Sequence, residues 1–534
     1  MYHLNYSISG IDFITSKKNK SKLDKARVKM VKKIAIVDIG SNTVRLVIYR
    51  VKSENAIKVI ENIKIAARLQ TYLNADLVLN SEGIKILVDS LNVFKEMIAL
   101  HNVESIKIFA TAAIRSSKNI GEIKQIVNDK TGFSIDVLTG EEEAKYGFLG
   151  VISSTDKNDG ITVDLGGGSL EITQFRNRKM VHSYSFSFGV LSLKQQFLPT
   201  NKPTDTELTS LAAYIQSQIQ TIDWLKDCQL PIIGIGGSAR SIGAIDQVMK
   251  SYPINSVHLY EIDKGDLDSV KERVKSLSFN EIQTVLGLSK ERAEIVFPAV
   301  EVFLEIYRTV NAPVLQISEK GLRDGVLLDH LKLNGSFQKK LSESLREISF
   351  EYDIDLDKRE LVFKTALMLF ESLKAVNTDL IEEDIQDLHR ASYLYNLGEV
   401  LERDYASAHS FYILSNRNFL ELPHRDWIKI ALLASFQSKA AFKENISPYK
   451  NWFEKNERRK LRLLGSILKF AFVLNNTKRE IIQEIHCNDE GEFIQLEIVC
   501  IKQWMAEEKA AEKQIKHLEN ALEKRINLHF TMAD

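Results

Sequence analysis

Two similar segments occur in this chain, and their similarity constrains the fold more than any other feature. "VDIGSNTVRLVIY" spans residues 37–49 and "VDLGGGSLEITQF" spans residues 163–175. In both copies an apolar run ends near an aspartate. Glycine and small polar residues follow, and a second run that contains apolar residues comes after them. Apolar runs of this length on either side of a glycine turn are typical of two β-strands in a hairpin. The repeat therefore predicts two related halves, each beginning with a strand–glycine–strand unit.

Strands and helices alternate in both halves. Between the two copies lie the strand-like runs "SIKIFAT" and "FSIDVLTG" and the helix-like runs "SEGIKILVDSLNVFKEMIAL" and "EEEAKYGFLGVI". The second half contains the strand-like runs "PIIGIGG" and "VLQIS" among further helical patterns. Such alternation predicts an α/β fold. We expect one lobe over residues 33–150 and a second over 151–332, preceded by a disordered basic extension at 1–32.

The pattern changes after "LNGSF" at residues 333–337. Residues 338–475 have mostly helical periodicity, whereas the end of the chain has the strand-like runs "EIIQEIHC" and "EFIQLEIVC". The last helical pattern, "AEEKAAEKQIKHLENALEKRI", has too few apolar positions for a coiled-coil seam, which favours a solvated face over a small sheet. We therefore predict an all-α domain at 333–478 and a small α+β domain at 479–534.

Charge and cysteine content narrow the function classes. The 534 residues include 71 Lys or Arg and 71 Asp or Glu, which gives a formal net charge of zero. This balance provides no general attraction to nucleic acid or membrane, so a polyanion would need a local basic patch. Three cysteines without a CxxC spacing suit a reducing compartment, and no apolar run approaches the ~20 residues that span a bilayer. We expect a cytoplasmic protein with neither nucleic acid nor membrane as a partner.

The two glycine turns suit a phosphate ligand. Glycine allows the backbone to approach a ligand closely, and successive backbone N–H groups in such a turn bind anions. An aspartate beside the turn is placed to hold Mg²⁺, which prefers carboxylate oxygens. The predicted phosphate cradles are Gly40, Ser41 and Asn42 in the first half and Gly166, Gly167, Gly168 and Ser169 in the second, with Asp38 and Asp164 as the neighbouring acids. A structural hairpin capped by an aspartate is the alternative, and the repetition argues against it.

Three further segments fit the same chemistry. "GIGGSARSIGAI" at residues 234–245 contributes a third glycine turn, with Gly236, Gly237 and Ser238 before a helix whose N-terminus favours anions. "ATAAIRSSKN" supplies Arg115, whose guanidinium suits phosphate oxygens. "LTGEEEAKYGFLGV" places three glutamates at a predicted helix start. On residue type alone, a solvated arginine and acids that cap a helix are the simpler interpretations.

These segments, in this order, resemble the exopolyphosphatase/guanosine pentaphosphate phosphohydrolase (Ppx/GppA) family of the acetate kinase–sugar kinase–Hsp70–actin superfamily. The resemblance covers residues 33–332 and rests on "VDIGSNTVRLVI", "ATAAIR", "LTGEEEAKYGFLGV", "VDLGGGSLEI", "SFSFGVLSL", "GIGGSAR", "GLSKERAEIVFPA" and "EKGLRDGVL". It implies two actin-like, ribonuclease H-like lobes. It also implies a homodimeric hydrolase in which water attacks the terminal phosphorus of inorganic polyphosphate or of a guanosine pentaphosphate (pppGpp).

The resemblance also assigns roles to individual residues. Glu143 matches the family's general base, which activates the attacking water. Asp164 and Glu171 match the acids that hold the catalytic Mg²⁺, to which we add Asp38 from its place beside the first turn. Arg115 and the glycine turns match the groups around the terminal phosphate. A monovalent cation such as K⁺ is left open as a second cofactor.

The C-terminal half resembles the HD-like helical domain and the small terminal domain of the longer family members. A metal-dependent HD hydrolase needs a His–Asp pair where this chain has Tyr395 and Asn396, and a second histidine where it has Phe436 and Gln437. We therefore expect no second active site in this domain. In the family this neighbourhood lies along the path of polyphosphate, and a solvated helix face is the alternative for its arginines. The expected track comprises His409, Arg458, Arg459 and Arg462.

The function expected from the sequence is Mg²⁺-dependent release of orthophosphate from the end of inorganic polyphosphate. Hydrolysis of pppGpp at the same site is the nearest alternative, because both activities occur in the family. An ATP-binding kinase or chaperone-like ATPase of the wider superfamily is a second alternative, and tight adenosine binding at "GIGGSAR" would identify it. The third is a non-catalytic polyphosphate or nucleotide sensor, against which the presence of Glu143, Asp164 and Glu171 argues.

Overall fold

The computed structural model of the chain describes residues 32–51, 57–200, 203–333, 345, 348, 351–377, 379–418 and 421–533. The extension predicted at 1–32 lies outside the described residues except for Lys32, where the first strand begins. The described residues before position 340 form one compact unit, and those after it form a second.

The first lobe is built on a five-stranded sheet. Its strands are β1 (Lys32–Ile39), β2 (Val44–Val51), β3 (Ile57–Ile65), β4 (Ser105–Ala110) and β5 (Asp136–Val137). They lie in the order β3-β2-β1-β4-β5, antiparallel among the first three and parallel from β1 to β5. Its helical segments are Leu69–Tyr72 (3₁₀), α1 (Ser81–Leu100), α2 (Ala112–Arg115) and α3 (Ile120–Thr131). The central strand β1 is apolar almost throughout because both of its faces are covered.

The second lobe repeats this arrangement and adds one strand. Its strands are β6 (Gly160–Leu165), β7 (Leu170–Arg176), β8 (Lys179–Phe186), β9 (Ile232–Ile235), β10 (Glu261–Ile262) and β11 (Leu315–Ile317). The order β10-β11-β9-β6-β7-β8 contains the series β8-β7-β6-β9-β11, which has the order and the strand directions of the first sheet. The predicted α/β fold with two related halves is confirmed.

Helices cover both faces of the second sheet. The chain order is α4 (Gly140–Ile152), α5 (Val190–Phe197), α6 (Asp205–Ile219), α7 (Gly236–Met249), α8 (Lys264–Ser276), α9 (Phe279–Ile282), α10 (Val296–Val310) and α11 (Leu322–His330), with 3₁₀ segments at Asp223–Leu225 and Lys290–Ile295. The core of this lobe lies between its sheet and helices such as α10, which is buried along almost its whole length.

Two of these helices cross between the lobes. Helix α4 follows the first sheet in the chain but packs on the second, where Phe148 and Val151 contact Phe175. Helix α11 follows the second sheet but packs on the first, where Val326 is buried with Phe109. The helices touch each other closely at glycines, since a methyl group at position 150 or 325 would collide with backbone of the opposite helix or its N-cap. The exchange ties the two sheets into one unit.

The second unit contains a helical layer and a small sheet. Its helices are α12 (Leu356–Lys374), α13 (Asp384–Leu394), α14 (Ala406–Asn416), α15 (His424–Ala434), α16 (Lys439–Ile446), α17 (Lys455–Leu474) and α18 (Met505–Leu522), with 3₁₀ segments at Leu397–Val400 and Ser447–Trp452. The sheet has the order β12 (Ile482–Asp489), β13 (Phe493–Cys500) and β14 (Arg525–Met532). Helix α18 packs on α17 and buries Ala511 and Leu518, as expected of a helix with one solvated face.

Several sequence expectations need correction. The strand expected at "FSIDVLTG" is reduced to Asp136–Val137, and the strand expected at 231–237 ends at Ile235, because Gly236 has φ 81° and begins α7. The helix expected over 506–526 ends at Leu522, and β14 begins three residues later. The edge strands β3 and β8 were not predicted, because their exposed faces carry many polar residues and obscure the apolar pattern.

Among the residues that the structure describes, no helix combines the length and the apolar character needed to cross a membrane.

Candidate active site

The two repeated turns have the same hydrogen bonding. The amide of Gly40 donates to the carbonyl of Thr43 at 3.0 Å, and the amide of Gly166 donates to the carbonyl of Ser169 at 3.0 Å. Each turn joins the first two strands of its lobe, β1 to β2 and β6 to β7. The sequence repeat is therefore a repeat of backbone geometry at equivalent places in two sheets.

Hydrogen bonds hold the carbonyl groups of both turns. The carbonyls of Ser41 and Asn42 accept from the amides of Gln70 and Arg68, each at 3.0 Å. In the second turn, the carbonyls of Gly166 and Gly167 accept from the first amides of α5. Within the described part of the chain, the amides of Ser41, Asn42, Gly167 and Gly168 donate to no backbone carbonyl. Free amides on turns with fixed carbonyls form a site for an anion.

The two turns face each other across the lobes. A Cβ on Gly167 would lie 3.1 Å from Ser41 Cβ, and one on Gly168 would lie 2.9 Å from Ser41 Oγ. Glycine is required here because any side chain would close the space between the turns. The third turn completes the cleft: Gly236 adopts φ 81°, and Ser238 Oγ donates to the carbonyl of Leu165 at 3.0 Å. All three turns line one cavity.

Glu143 is the one glutamate of its motif that points inward. Thr139 is the N-cap of helix α4: its hydroxyl accepts from the Glu142 amide, and the Glu142 carboxylate accepts from the Thr139 amide. Glu141 and Glu142 are exposed, whereas Glu143 is 8% exposed and lines the cavity. The capping interpretation thus holds for Glu142. The carboxylate of Glu143 takes no part in this cap and faces the cleft.

Arg115 fixes the position of this carboxylate. Its Nη1 lies 2.6 Å from Glu143 Oε2 and donates to the carbonyl of Leu138 at 3.1 Å, while its Nη2 lies 3.6 Å from Glu171 Oε1. Glu171 also accepts from Ser185 Oγ at 2.8 Å. Neither Arg115 nor Glu171 is among the residues that line the cavity, whereas Glu143 is. Arg115 therefore links the cavity-lining Glu143 to Glu171.

Burial raises the pKa of the acids in this site. The pKa of Glu143 is raised from 4.5 to about 7 by burial, against the opposing charge of Arg115. Burial and the neighbouring Asp38 raise the pKa of Asp164 to about 6, and burial with Glu143 raises that of Glu171. Burial also raises the pKa of Asp38, although Arg323 Nη1 lies 2.8 Å from its Oδ2. Burial is the largest cause in each case, and repulsion between the neighbouring carboxylates adds to it for Glu143, Asp164 and Glu171.

The sequence analysis did not identify most of the positive charge that lines the cleft. Five cationic side chains line the cavity: Arg45, Lys64, Arg240, Arg292 and Arg323. In the described ranges, the ion pairs of these five are limited to Arg323 with Asp38. Burial together with Arg323 lowers the pKa of Arg45 to about 10, and burial together with Arg240 lowers that of Arg292 to about 10. The cleft therefore concentrates unpaired positive charge beside the turns, as a polyanion site requires.

A signal for these cations was present in the sequence. Arg45, Arg240, Arg292 and Arg323 all lie inside the quoted motifs "VDIGSNTVRLVI", "GIGGSAR", "GLSKERAEIVFPA" and "EKGLRDGVL". The four arginines come from four different elements, β2, α7, the 3₁₀ segment Lys290–Ile295 and α11, so that their convergence depends on tertiary structure. Arg292 lies directly over Gly237, where a Cβ would meet its guanidinium.

The predicted HD-like domain has packed side chains at the positions of the missing metal ligands. Tyr395 and Phe436 are both buried, and the Tyr395 hydroxyl donates to the Phe436 carbonyl at 2.9 Å. The Asn396 amide donates to the carbonyl of Ala434 at 3.0 Å. Across both described units, no group of three or more His, Cys, Asp or Glu side chains is arranged to hold a metal ion.

The predicted track residues have different environments. His409 is half-buried on α14, and its Nδ1 has no hydrogen-bond partner among the described residues. Arg458 Nη1 donates to the carbonyl of Lys450 at 3.1 Å and holds the segment before α17. Arg459 is exposed, and Arg462 is half-buried one turn further along. A track function for these four residues stays a prediction.

Two family models match most of this chain. The model of the Ppx/GppA phosphatase family matches residues 47–334, and that of Ppx/GppA phosphatase domain III matches residues 342–519. A curated relative from Pseudoalteromonas atlantica, guanosine-5'-triphosphate,3'-diphosphate pyrophosphatase, is 24% identical over 468 residues, which cover 84% of this chain and 87% of the relative.

Solved structures share the fold of somewhat more than half of this chain. The Aquifex aeolicus member of the Ppx/GppA protein family is 26% identical, with a TM-score of 0.51, and covers 57% of this chain and 100% of its own. An exopolyphosphatase from Cytophaga hutchinsonii is 20% identical, with a TM-score of 0.51, and covers 56% of this chain and 98% of its own. The latter similarity concerns the fold alone.

Proposed function

This chain belongs to the Ppx/GppA phosphatase family, and we propose that it hydrolyses the terminal phosphoric anhydride of inorganic polyphosphate and releases orthophosphate. The observation that carries this proposal is the composition of the cleft. Three glycine turns and five cationic side chains line it, and its described lining residues include no aromatic side chain. Repeated phosphates match such a lining better than a purine base, which usually stacks on a ring.

The opposed turns would hold the terminal phosphoryl group. Their free amides supply donors from both lobes, and removing one such donor from an oxyanion site typically costs about 3–4 kcal/mol of barrier. The cations beside the turns would neutralise the phosphates that precede the terminal one. Phosphoryl transfer depends mainly on this charge neutralisation and on in-line placement of the nucleophile.

Glu143 would act as the general base. Its carboxylate faces the cleft, and a pKa of about 7 is close to the value at which a base is both deprotonated and able to accept a proton at neutral pH. Water oxygen forms a bond to the terminal phosphorus, its proton passes to Glu143, and the anhydride P–O bond breaks with the electron pair left on the shortened chain. Arg115 would be a positioning residue, because its Nη1 holds the Glu143 carboxylate at 2.6 Å.

The acids also fit a divalent cation. Asp164 lines the cleft and forms no ion pair among the described side chains, and its pKa is raised partly by Asp38. Mg²⁺ is typically bound by one or two carboxylates together with substrate phosphates and water. Asp164 and Asp38 would hold the ion, and Mg²⁺ bound there supplies charge neutralisation at the phosphates. Glu171 lies deeper, with Ser185 and Arg115.

A second candidate is hydrolysis of pppGpp at the same site, which the name of the Pseudoalteromonas atlantica relative favours. The two are separated by kcat/KM for phosphate release from long-chain polyphosphate and from pppGpp, measured with the full chain and Mg²⁺. We expect the larger value with polyphosphate. A larger value with pppGpp would establish the second candidate, and release from neither substrate would refute the hydrolase proposal. Sedimentation of the same protein tests the further proposal of a homodimer.

A further inference from the structure

A buried guanidinium in the second unit lacks partners. Arg359 lies in the first turns of α12 and is 6% exposed. Its Nε and Nη1 are buried, and neither has a hydrogen-bond partner among the residues that the structure describes. A buried donor that is left unmet is unfavourable, and more so when it is charged. Nearly all buried polar groups in folded proteins have a hydrogen-bond partner.

An aromatic floor lies beneath this guanidinium. The Cζ atom of Arg359 is 5.4 Å from the ring centroid of Phe472, and Nζ of the half-buried Lys358 is 4.2 Å from the same centroid. The ring of Tyr395, one of the positions where a His–Asp pair is missing, packs on Phe472 at 5.0 Å. The two cations therefore contact the same aromatic ring, and Lys358 is the more exposed of the two.

The charges around Arg359 do not balance. Three cationic side chains are close together, Lys358, Arg359 and Lys478, and two acidic ones, Asp355 and Glu399. Asp355 pairs with Lys478 at 2.5 Å and also caps α12 by accepting from the Lys358 amide. Glu399 accepts from Asn396 Nδ2 at 3.0 Å and forms no ion pair with Arg359. One positive charge is left over, beside a helix N-terminus that also favours an anion.

The protonation equilibria agree with this excess. Burial lowers the pKa of Arg359, although Glu399 opposes the change. Burial, and then the charge of Arg359, lower the pKa of Lys358. Both shifts have the direction expected where two cations lack a counter-ion.

We propose that Arg359 and Lys358 bind a phosphoryl oxyanion at a second site, in a different unit from the glycine turns. Either unmet donor of the guanidinium, Nε or Nη1, can give a phosphoryl oxygen a charge-assisted hydrogen bond, and the half-buried Lys358 adds a second positive charge over the same ring. The ligand is either free orthophosphate or a phosphoryl group of a polyphosphate chain. The site is independent of the hydrolase activity proposed above.

Hydrogen–deuterium exchange of the full chain, read by mass spectrometry, tests this proposal locally. Peptides within 351–365 and 468–478 report on the second site, and peptides within 38–45 and 164–170 report on the cleft. Bound phosphate slows the exchange of those amides whose exchange requires the second site to open. At a concentration of inorganic phosphate ten times its Kd, this exchange should slow about tenfold. Chloride at matched ionic strength is the control for screening, and equal protection by chloride would overturn the proposal.

Variants separate the two sites. Arg359→Met should abolish protection by phosphate in 351–365 and leave the response of the cleft peptides intact. Lys358→Met, at the partly exposed cation, should raise the phosphate concentration for half-protection about tenfold, and it provides the test if Arg359→Met does not fold. Lys364→Met is the matched control, because Lys364 lies on the same helix with its side chain 51% exposed, and it should behave as wild type.

The remaining outcomes also decide the matter. Protection by long-chain polyphosphate alone would assign the ligand as the chain, and protection by orthophosphate as well would assign the free ion. Equal protection of 351–365 in wild type and in both the Arg359 and Lys358 variants would show that the anion does not bind through these two side chains. The proposal would then be wrong, while the proposed hydrolase activity would be unaffected.

Discussion

Replacing Glu143 by glutamine should make the first unit more stable and the protein nearly inactive. The carboxylate of Glu143 is buried, and its pKa of about 7 exceeds the ordinary value of 4.5 by about 2.5. At 1.36 kcal/mol for each pH unit, ionisation of Glu143 costs the folded state about 3 kcal/mol. Glutamine has nearly the same shape as the protonated acid and is free of this cost.

The sign and the pH range of the effect follow from the raised pKa. The pKa of Glu143 is higher in the folded state than in the unfolded state. The contribution of the neutral Glu143 carboxyl to the free energy of unfolding is therefore fully present below pH 4.5, and it is lost as the pH rises through about 7. The gain from Glu143→Gln should therefore be about 3 kcal/mol at pH 8 and close to zero at pH 4.5. The urea dependence of hydrogen exchange in peptides from β1 and β6 measures this for the first unit alone.

Activity should change in the opposite direction. Loss of a general base typically lowers the rate by about 10²–10⁴-fold, to be measured as kcat/KM for phosphate release. Glu141→Gln is the matched control, since Glu141 is exposed in the same helical turn, and it should change neither quantity appreciably. An equal stability difference at pH 5 and pH 8, or turnover of Glu143→Gln within a fewfold of wild type, would refute the reasoning.

Three further predictions concern the turns, the second unit and the metal. Gly168→Ala would place a methyl group 2.8 Å from Gln70 Oε1 and 2.9 Å from Ser41 Oγ, so kcat/KM should fall at least about tenfold. Gly121→Ala is the control, because its methyl group meets no atom within 4 Å and should leave kcat/KM unchanged. Equal effects of the two substitutions on kcat/KM would contradict the account. Tyr395→Phe removes a buried hydrogen bond and should destabilise the second unit by about 1–3 kcal/mol, as read by exchange in α15, without altering kcat/KM at saturating Mg²⁺. EDTA should abolish phosphate release and added Mg²⁺ should restore it, and activity that persists in EDTA would exclude a metal requirement.

The repeated strand–glycine–strand segment predicted the duplication and the turns because it is a local pattern. Glycine spacing and the flanking apolar runs determine the turn at Gly40 and the turn at Gly166, and both formed as expected. Features of this kind depend on residues that are adjacent in the chain.

The features that were missed depend on contacts between distant residues. The exchange of α4 and α11 between the sheets joins Gly150 to Gly321 and Tyr146 to Gly325, pairs separated by more than 170 positions in the numbering. The Arg115 guanidinium contacts Glu143, 28 positions away, and its expected place beside the phosphate stays a prediction. A motif identifies such a residue as part of a site, but only the tertiary structure determines which group it contacts.

A crystal structure of the full chain grown with Mg²⁺ and inorganic phosphate tests the central claim most directly, since that claim is that the opposed turns bind a phosphoryl group from both sides. We predict a phosphate whose oxygens accept from the amides of Ser41 or Asn42 and of Gly167 or Gly168, with the Glu143 carboxylate facing the phosphorus across the space of one water. A phosphate bound by one turn only, or one from which Glu143 is separated by the Arg115 guanidinium, would contradict it.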